Sequence, residues 1–98
     1  MIDRRLLLLN EDDNVLVLRK GIAAGERIDI GAGEAKTDRS LNLGHKLARR
    51  SISEGEEILK YGAVIGVATA PIAAGGHVHV HNVRSNYTPT YSLPEETR

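Results

Sequence analysis

The hydrophobic residues of this chain occur in short runs separated by polar residues and glycines. No window keeps apolar residues at positions i, i+3, i+4 and i+7 over three helical turns. Two apolar runs, residues 6–9 and 15–18, flank the sequence Asn-Glu-Asp-Asp-Asn at 10–14, whose short polar side chains hydrogen-bond to nearby backbone and favour turns. The pattern predicts a compact, all-β single domain that begins with a β-hairpin.

One segment offers a helical alternative. Residues 51–61 contain Ser53 and Glu56 at the spacing of a capping box, in which each side chain accepts a backbone N–H of the other residue. Gly55 lies in what would be the first turn of that helix, and glycine is a poor helix former. We therefore prefer a turn and a strand for this segment.

A short motif recurs three times along the chain. The sequence Ile-x-x-Gly-x-x-Ile/Val occupies residues 22–28, 52–58 and 72–78. Two apolar residues around a glycine that can adopt positive φ are typical of a strand end, a tight turn and a strand start. The intervals between the copies are unequal, so the motif does not predict a solenoid. Chance similarity among the glycine turns of a β-protein is the alternative.

The remaining segments complete the predicted architecture. Residues 31–38 are small and polar and predict a flexible loop. Tyr61 is one of three tyrosines in a chain without Phe or Trp, so we expect it in the core. Residues 1–86 are assigned to the domain, and residues 87–98 to a C-terminal tail that is able to dock on a partner.

Composition and charge exclude several classes of protein. The 13 basic and 13 acidic residues cancel, which argues against a nucleic-acid-coating protein. The absence of cysteine excludes disulfides, zinc knuckles, iron–sulfur clusters and thiol catalysis. No apolar run is long enough for a signal sequence or a membrane span. We expect a soluble, cytoplasmic protein that binds neither nucleic acid nor membrane.

Candidate chemistry is concentrated in a row of alternating histidines. His77, His79 and His81 alternate with Val78 and Val80, so in a strand the histidines share one face and the valines enter the core. Neighbouring histidines of such a row are about 7 Å apart at Cα, close enough to share a metal ion. One flat strand supplies two ligands at most, and the missing ligands would come from another chain. The alternative is a solvated strand face without a ligand.

The second candidate site is the sequence Gly44-His45-Lys46. A glycine that frees the backbone beside an imidazole and an ammonium group is suited to binding an anion. Two arginines at 49–50 add local positive charge, which favours an anionic ligand or an acidic partner surface. The alternative is a turn followed by an exposed lysine.

Seven short motifs, taken together and in order, are more specific than any one of them. They are Asp13-Asn14-Val15, Ile22-Ala23-Ala24-Gly25, Gly44-His45-Lys46, Gly55-Glu56, Tyr61-Gly62, Ile65-Gly66 and His77-Val78-His79-Val80-His81-Asn82. The assembled set resembles the SAF-type domain of the altronate and galactarate dehydratases. The histidine row is similar to the altronate and sulfolactate branches, which makes galactarate the least favoured substrate.

The resemblance implies a β-clip fold and a catalytic role shared with a large subunit, as in the sulfolactate sulfo-lyases. It implies a carbon–oxygen lyase (hydro-lyase) subunit that is inactive alone and, with its partner, removes water from a small anionic 2-hydroxy acid by β-elimination. For sulfolactate the same β-elimination would break a carbon–sulfur bond and release sulfite. The implied cofactor is a divalent metal, Fe²⁺ or alternatively Mn²⁺. The principal base is then expected on the large subunit, and a homo-oligomer is compatible with this organisation.

The resemblance also suggests roles for individual residues. His79 and His81 are the first choice as metal ligands, and His77 is the third. His45 and Lys46 are the candidate catalytic residues, and Lys46 and Asn82 the candidate substrate-binding residues. Two other classes of function remain open: a stand-alone SAF-type module that binds a small anion or a protein, and a metal-storage or metal-sensing protein.

Overall fold

Short apolar runs fold into short strands. The computed structural model describes residues 2–85, and within that range it contains β-strands and turns but no helix. The strands are β1 Leu6–Leu7, β2 Val15–Leu18, β3 Arg27–Asp29, β4 Glu34–Lys36, β5 Lys46–Ala48, β6 Glu57–Lys60, β7 Ala63–Ala68, β8 His77–Val78 and β9 Val83–Arg84. The prediction of an all-β single domain is confirmed.

The strands form three antiparallel sheets, ordered β1-β2-β5-β8, β3-β4 and β6-β7-β9. The predicted N-terminal hairpin is present, with Leu6 paired to Leu18. The helical alternative for residues 51–61 is not formed. Instead, the N–H of Ser53 donates to Glu56 Oε1 at 3.0 Å and helps to close a turn before β6.

The four-stranded sheet divides the core into two hydrophobic clusters. Leu47 packs in the first cluster and Ala48 in the second, because successive side chains of a strand point to opposite faces. The first cluster consists of Leu6, Leu16, Leu18, Ile22, Ile28, Ile30, Leu41 and Leu47. The second consists of Val15, Ala48, Ile52, Ile58, Ala68, Ile72 and Val78.

The recurring glycine motif is a structural repeat with a fourth copy. Gly25, Gly55 and Gly75 have φ values of 78°, 87° and 82°. Residues 41–47 form the fourth copy, in which leucine replaces both apolar residues and Gly44 has a φ of 90°. Each copy begins at a β-bridge residue, continues through a tight turn and ends in the following strand. The prediction of a repeated local structure is confirmed.

The four copies associate in two pairs. Ile22 and Leu41 exchange two backbone hydrogen bonds of 2.9 and 3.0 Å, and Ile52 and Ile72 exchange two of 2.8 Å. The first pair supplies apolar residues to the first cluster and the second pair to the second cluster. The domain is therefore built as two similar halves on either side of the central sheet.

Two buried polar residues fasten the β6–β7 hairpin to β2. The carboxylate of Asp13 accepts the N–H groups of Tyr61 at 2.7 Å and Gly62 at 2.8 Å. The side chain of Asn14 donates to the carbonyl of Glu57 and accepts the N–H of Leu59, both at 2.8 Å. Asp13 and Asn14 are 3% and 1% exposed, so these bonds are formed largely out of water.

Replacing Asp13 by alanine is expected to lower the free energy of unfolding by about 2–3 kcal/mol, because two backbone donors lose a charged acceptor. Urea-induced unfolding would measure the change. Asp12→Ala is the matched control, since Asp12 is the exposed neighbour and its replacement should cost much less. Equal midpoints for the two variants would contradict this role of Asp13.

Two expectations about the fold were wrong. Tyr61 is not in the core: it lies in the β6–β7 turn with a φ of 57° and is 75% exposed. Residues 31–38 are not a slack loop, because Glu34–Lys36 pair with β3 as strand β4. The predicted tail, residues 87–98, lies outside the described residues. Within the described part of the chain, no helix could cross a membrane.

Candidate metal centre

The register of β5 against β8 brings the histidines together. Lys46 pairs with Val78 and Leu47 pairs with His77, so His45, one residue before β5, lies opposite the position just after β8. The ring of His45 is 5.0 Å from that of His77 and 5.1 Å from that of His79, measured between centroids. His45 of the second candidate site therefore joins the histidines of the first.

The histidine row is not one continuous strand, because the chain turns after Val78. Strand β8 ends at Val78, and residues 79–82 form a turn in which the Asn82 N–H donates to the His79 carbonyl at 3.0 Å. Val78 is fully buried, but Val80 is 80% exposed. The prediction that both valines enter the core was wrong for Val80, because the strand is two residues long and the turn directs residue 80 outward.

Asn82 holds this turn through its side chain. Its amide oxygen accepts the N–H of His79 at 2.9 Å, and its amide nitrogen donates to the carbonyl of His77 at 2.8 Å. Both polar atoms thus contact the backbone that carries the histidines. A substrate-binding role for Asn82 stays a prediction, and its observed contacts position the histidine turn.

Three imidazoles, from His45, His77 and His79, form a group that is able to hold a metal ion. One nitrogen from each lies within 4.8 Å of the others, and His45 Nδ1 is 3.0 Å from His77 Nε2. Two donors come from the histidine row, and the third comes from His45, one residue before β5 of the same chain. His81 lies beside this group, with its ring centroid 5.5 Å from that of His77. Its place among the metal ligands stays a prediction.

His77 is the central residue of the cluster. Burial, the largest cause, and the neighbouring His45, His79, His81 and Arg39 lower the pKa of His77 to about 4. The imidazole is therefore neutral near pH 7, which is the form that binds metals. Its Nδ1 atom is buried without a hydrogen-bond partner among the described residues. These features fit a divalent cation with three nitrogen ligands and open positions for others.

The depressed pKa of His77 predicts that the stability of the metal-free chain depends on pH. The value is about 4 in the folded chain, against 6.5 for an ordinary imidazole, so the unfolded chain binds the proton first as the pH falls. The contribution of His77 to the free energy of unfolding is fully present above about pH 6.5, and it decreases progressively as the pH falls toward 4. We expect thermal melting to show a weaker loss over this range for His77→Gln.

His81→Gln is the control for this pH dependence, because His81 is exposed. This variant should retain most of the pH dependence of the unmodified chain, because burial is the largest cause of the lowered pKa of His77 and His81 is a smaller one. Parallel pH profiles for His77→Gln and the unmodified chain would show that His77 does not cause the loss of stability.

Lys46 lies on the opposite face of the sheet from His45. Leu47 packs in the first cluster and Ala48 in the second, so the alternation along β5 places Lys46 on the side of the second cluster. Burial, and secondarily the charge of Lys60, lower the pKa of Lys46. Both His45 and Lys46 border a shallow pocket of about 290 Å³ at the start of β5. The catalytic and substrate-binding roles of Lys46 stay predictions.

A larger cleft of about 420 Å³ opens beside the histidines. His77 and His81 line it, together with Lys36 and Arg39. Sequence analysis did not identify Arg39, because the preceding segment was interpreted as a slack loop. Its positive charge was the only signal in the sequence, and that signal does not distinguish Arg39 from the other Lys and Arg residues, of which the chain has 13 in all.

The fold and the site define a small all-β module with a partly exposed, histidine-rich centre. A sequence model of the altronate/galactarate dehydratase SAF domain matches residues 4–86. The chain belongs to this family, as its motifs indicated.

Individual relatives agree with this assignment. The chain is 34% identical to altronate dehydratase from Bacillus subtilis (strain 168) over 90% of its length, and 40% identical to altronate dehydratase from Escherichia coli (strain K12) over 76%. It spans only 19% and 15% of those two proteins. It is also 37% identical to (2R)-sulfolactate sulfo-lyase subunit alpha from Chromohalobacter salexigens, over 76% of this chain and 86% of that subunit.

Proposed function

We propose that this chain is the small subunit of a metal-dependent hydroxy-acid lyase, whose active site is completed by a separate large subunit. The observation that carries the proposal is the group of three imidazoles, His45, His77 and His79, in a member of the altronate/galactarate dehydratase SAF family. The reaction is β-elimination from a small 2-hydroxy acid related to altronate or sulfolactate.

The three histidines would hold a divalent metal, Fe²⁺ or Mn²⁺. When bound, such a cation supplies Lewis-acid stabilisation of the negative charge that develops on the substrate as its α-proton leaves. His77, kept neutral by burial, offers a nitrogen lone pair without competition from a proton. Asn82 fixes the backbone of His77 and His79 through two hydrogen bonds, which keeps the imidazoles oriented.

A large partner is supported by the surface around the histidines. The turn before His45 exposes Leu43 to 71%, and the turn after His79 exposes Val80 to 80%. Both turns lie at the same end of the β5–β8 ladder. Apolar side chains this exposed beside an incomplete ligand set are suited to contact with another protein. The altronate dehydratases that the chain matches are themselves about five times its length, since the 96 and 74 aligned residues make up 19% and 15% of them.

The test is reconstitution with a large dehydratase subunit from the same source, assayed anaerobically with Fe²⁺ or Mn²⁺ on altronate, sulfolactate and galactarate. The chain alone should give no turnover, because it does not hold metal, substrate and base together. The mixture should turn over altronate or sulfolactate. Turnover by the chain alone would contradict the need for a partner.

Two variants test whether assembly with the large subunit depends on these exposed apolar side chains. Leu43→Glu combined with Val80→Glu should weaken assembly, since two carboxylates would then face the proposed contact. Val64→Glu is the control, because Val64 is 40% exposed on β7. Stable assembly without lyase activity on any of the three acids would favour the non-catalytic binding module.

A further inference from the structure

The cleft beside the histidines carries the charge and the shape of an anion site. Lys36 and Arg39 contribute two positive charges to its lining, against one carboxylate from Asp38. Arg39 Nε is 3.6 Å from Asp38 Oδ1, and the two side chains are 64% and 87% exposed. This separation exceeds a normal hydrogen bond, so the guanidinium is able to bind another acceptor. The volume of about 420 Å³ is in the range of small-molecule sites.

The backbone that carries Arg39 is held in place. Thr37 is 6% exposed, and its hydroxyl donates to the carbonyl of Arg39 at 2.9 Å. The carbonyl of Thr37 accepts the N–H of Gly25 at 2.8 Å, which ties the segment to the first glycine turn. Strand β4, immediately before it, pairs with β3. Arg39 therefore extends from an anchored segment, and less entropy is lost when its guanidinium binds a ligand.

The cleft and the metal centre share one residue. His77 lines the cleft and also belongs to the three-imidazole group, and His81 lines the cleft as well. Arg39 and His77 line the same cleft, so a ligand whose anionic group binds Arg39 occupies a cavity that His77 also borders.

We propose that this cleft binds the carboxylate of a small 2-hydroxy acid, with Arg39 as the principal cation and the hydroxyl end directed toward the histidines. The hydroxy acid as ligand rests on the function proposed above, whereas the anion site itself does not. Guanidinium groups bind carboxylates through two parallel hydrogen bonds. Lys46, the sequence-based candidate for this role, lies on the face of the second cluster instead.

The first test is an NMR titration of the full, metal-free chain with glycerate, the smallest acid that has hydroxyls on both relevant carbons. Glycerate should shift the backbone signals of Gly75 and Gly76 and the imidazole signals of His81, which line the cleft. Glycerol, the neutral control, should not. Arg39→Gln should weaken glycerate binding about 10-fold, and Arg39→Lys should weaken it less. Arg19→Gln, an exposed arginine outside the cleft, should bind as the unmodified chain does.

The second test uses the reconstituted enzyme and measures KM and kcat separately. Arg39→Gln should raise KM about 10-fold and change kcat much less, and Arg19→Gln should change neither. The proposal is overturned if Arg39→Gln matches Arg19→Gln in both tests, or if glycerol binds as well as glycerate. Absence of lyase turnover in the unmodified mixture is a failure of the proposed function. The NMR titration then decides separately whether the anion site exists.

Discussion

Replacement of His77 by alanine is expected to lower the affinity of the chain for Mn²⁺ by about 100-fold or more. His77 is the nitrogen donor nearest to His45, at 3.0 Å, and it belongs to the three-imidazole group with His79. Loss of one of three ligands leaves a two-ligand site, and even loss of a residue that only orients a ligand typically costs 10–100-fold. His45→Ala and His79→Ala should have effects of similar size. Isothermal titration with Mn²⁺, and with Fe²⁺ without oxygen, measures them.

His81→Ala is the matched control, because His81 has the same chemistry and belongs to the same row but lies outside the three-donor group. Its replacement should change the affinity only a few-fold. This order differs from the expectation based on sequence, in which His81 ranked above His77. Equal losses at all four histidines would favour a diffuse cationic cluster over a defined centre. No loss at any of them would remove the metal from the proposed function.

The local features of the fold were predictable because they depend on neighbouring residues. The Asn-Glu-Asp-Asp-Asn turn and its flanking apolar runs predicted the first hairpin, and three glycine turns were identified from their spacing. The fourth copy, residues 41–47, was missed because it has leucine where the others have isoleucine or valine. Chemically, that difference is small. A search for any branched aliphatic residue around x-x-Gly-x-x finds this copy.

Other features depend on contacts between distant segments and were not predictable. Strand β4 contains small and polar residues, and it is a strand because β3 supplies its hydrogen-bond partners. Tyr61 was expected in the core on grounds of size alone. The Asp13 carboxylate instead holds the backbone of residues 61–62 in a turn, and that turn exposes the ring. In each case a tertiary contact outweighed the local preference.

The candidate site shows the same division between local and tertiary information. The alternation of the row predicted two neighbouring imidazoles in one place, and His77 and His79 do lie together, although strand β8 ends at Val78. The third, His45, is 32 residues from its hydrogen-bond partner His77, and only the pairing of β5 with β8 brings them together. Identification of Arg39 would have required the position of residues 37–39. The buried Thr37 holds this segment through its hydrogen bond to the Arg39 carbonyl. Sequence spacing carries no information about either contact.

Gly75→Ala is expected to be the most destabilising of the alanine substitutions at the repeated glycines. The new Cβ would lie 2.2 Å from the Cβ of Ala35, whereas a Cβ at Gly25 meets nothing within 4 Å. Both glycines have similar positive φ values, 82° and 78°, so the backbone strain is matched. Gly25→Ala should cost about 1 kcal/mol from strain alone. Gly75→Ala should cost about 3 kcal/mol or more, because overpacking adds to the same strain.

The steric origin of this difference is testable by removing the atom that would clash. Ala35→Gly deletes the Cβ on β4, after which the nearest remaining atom of residue 35 is its Cα, at 3.7 Å from the added methyl. Combined with Gly75→Ala, it should recover about 1–2 kcal/mol relative to the sum of the single changes, measured by urea unfolding in a double-mutant cycle. Such recovery would identify residue 75 as the point where the glycine turn of residues 72–78 packs against the β3–β4 hairpin. Additive costs would mean that backbone strain alone determines the requirement for glycine, and Gly75→Ala should then match Gly25→Ala.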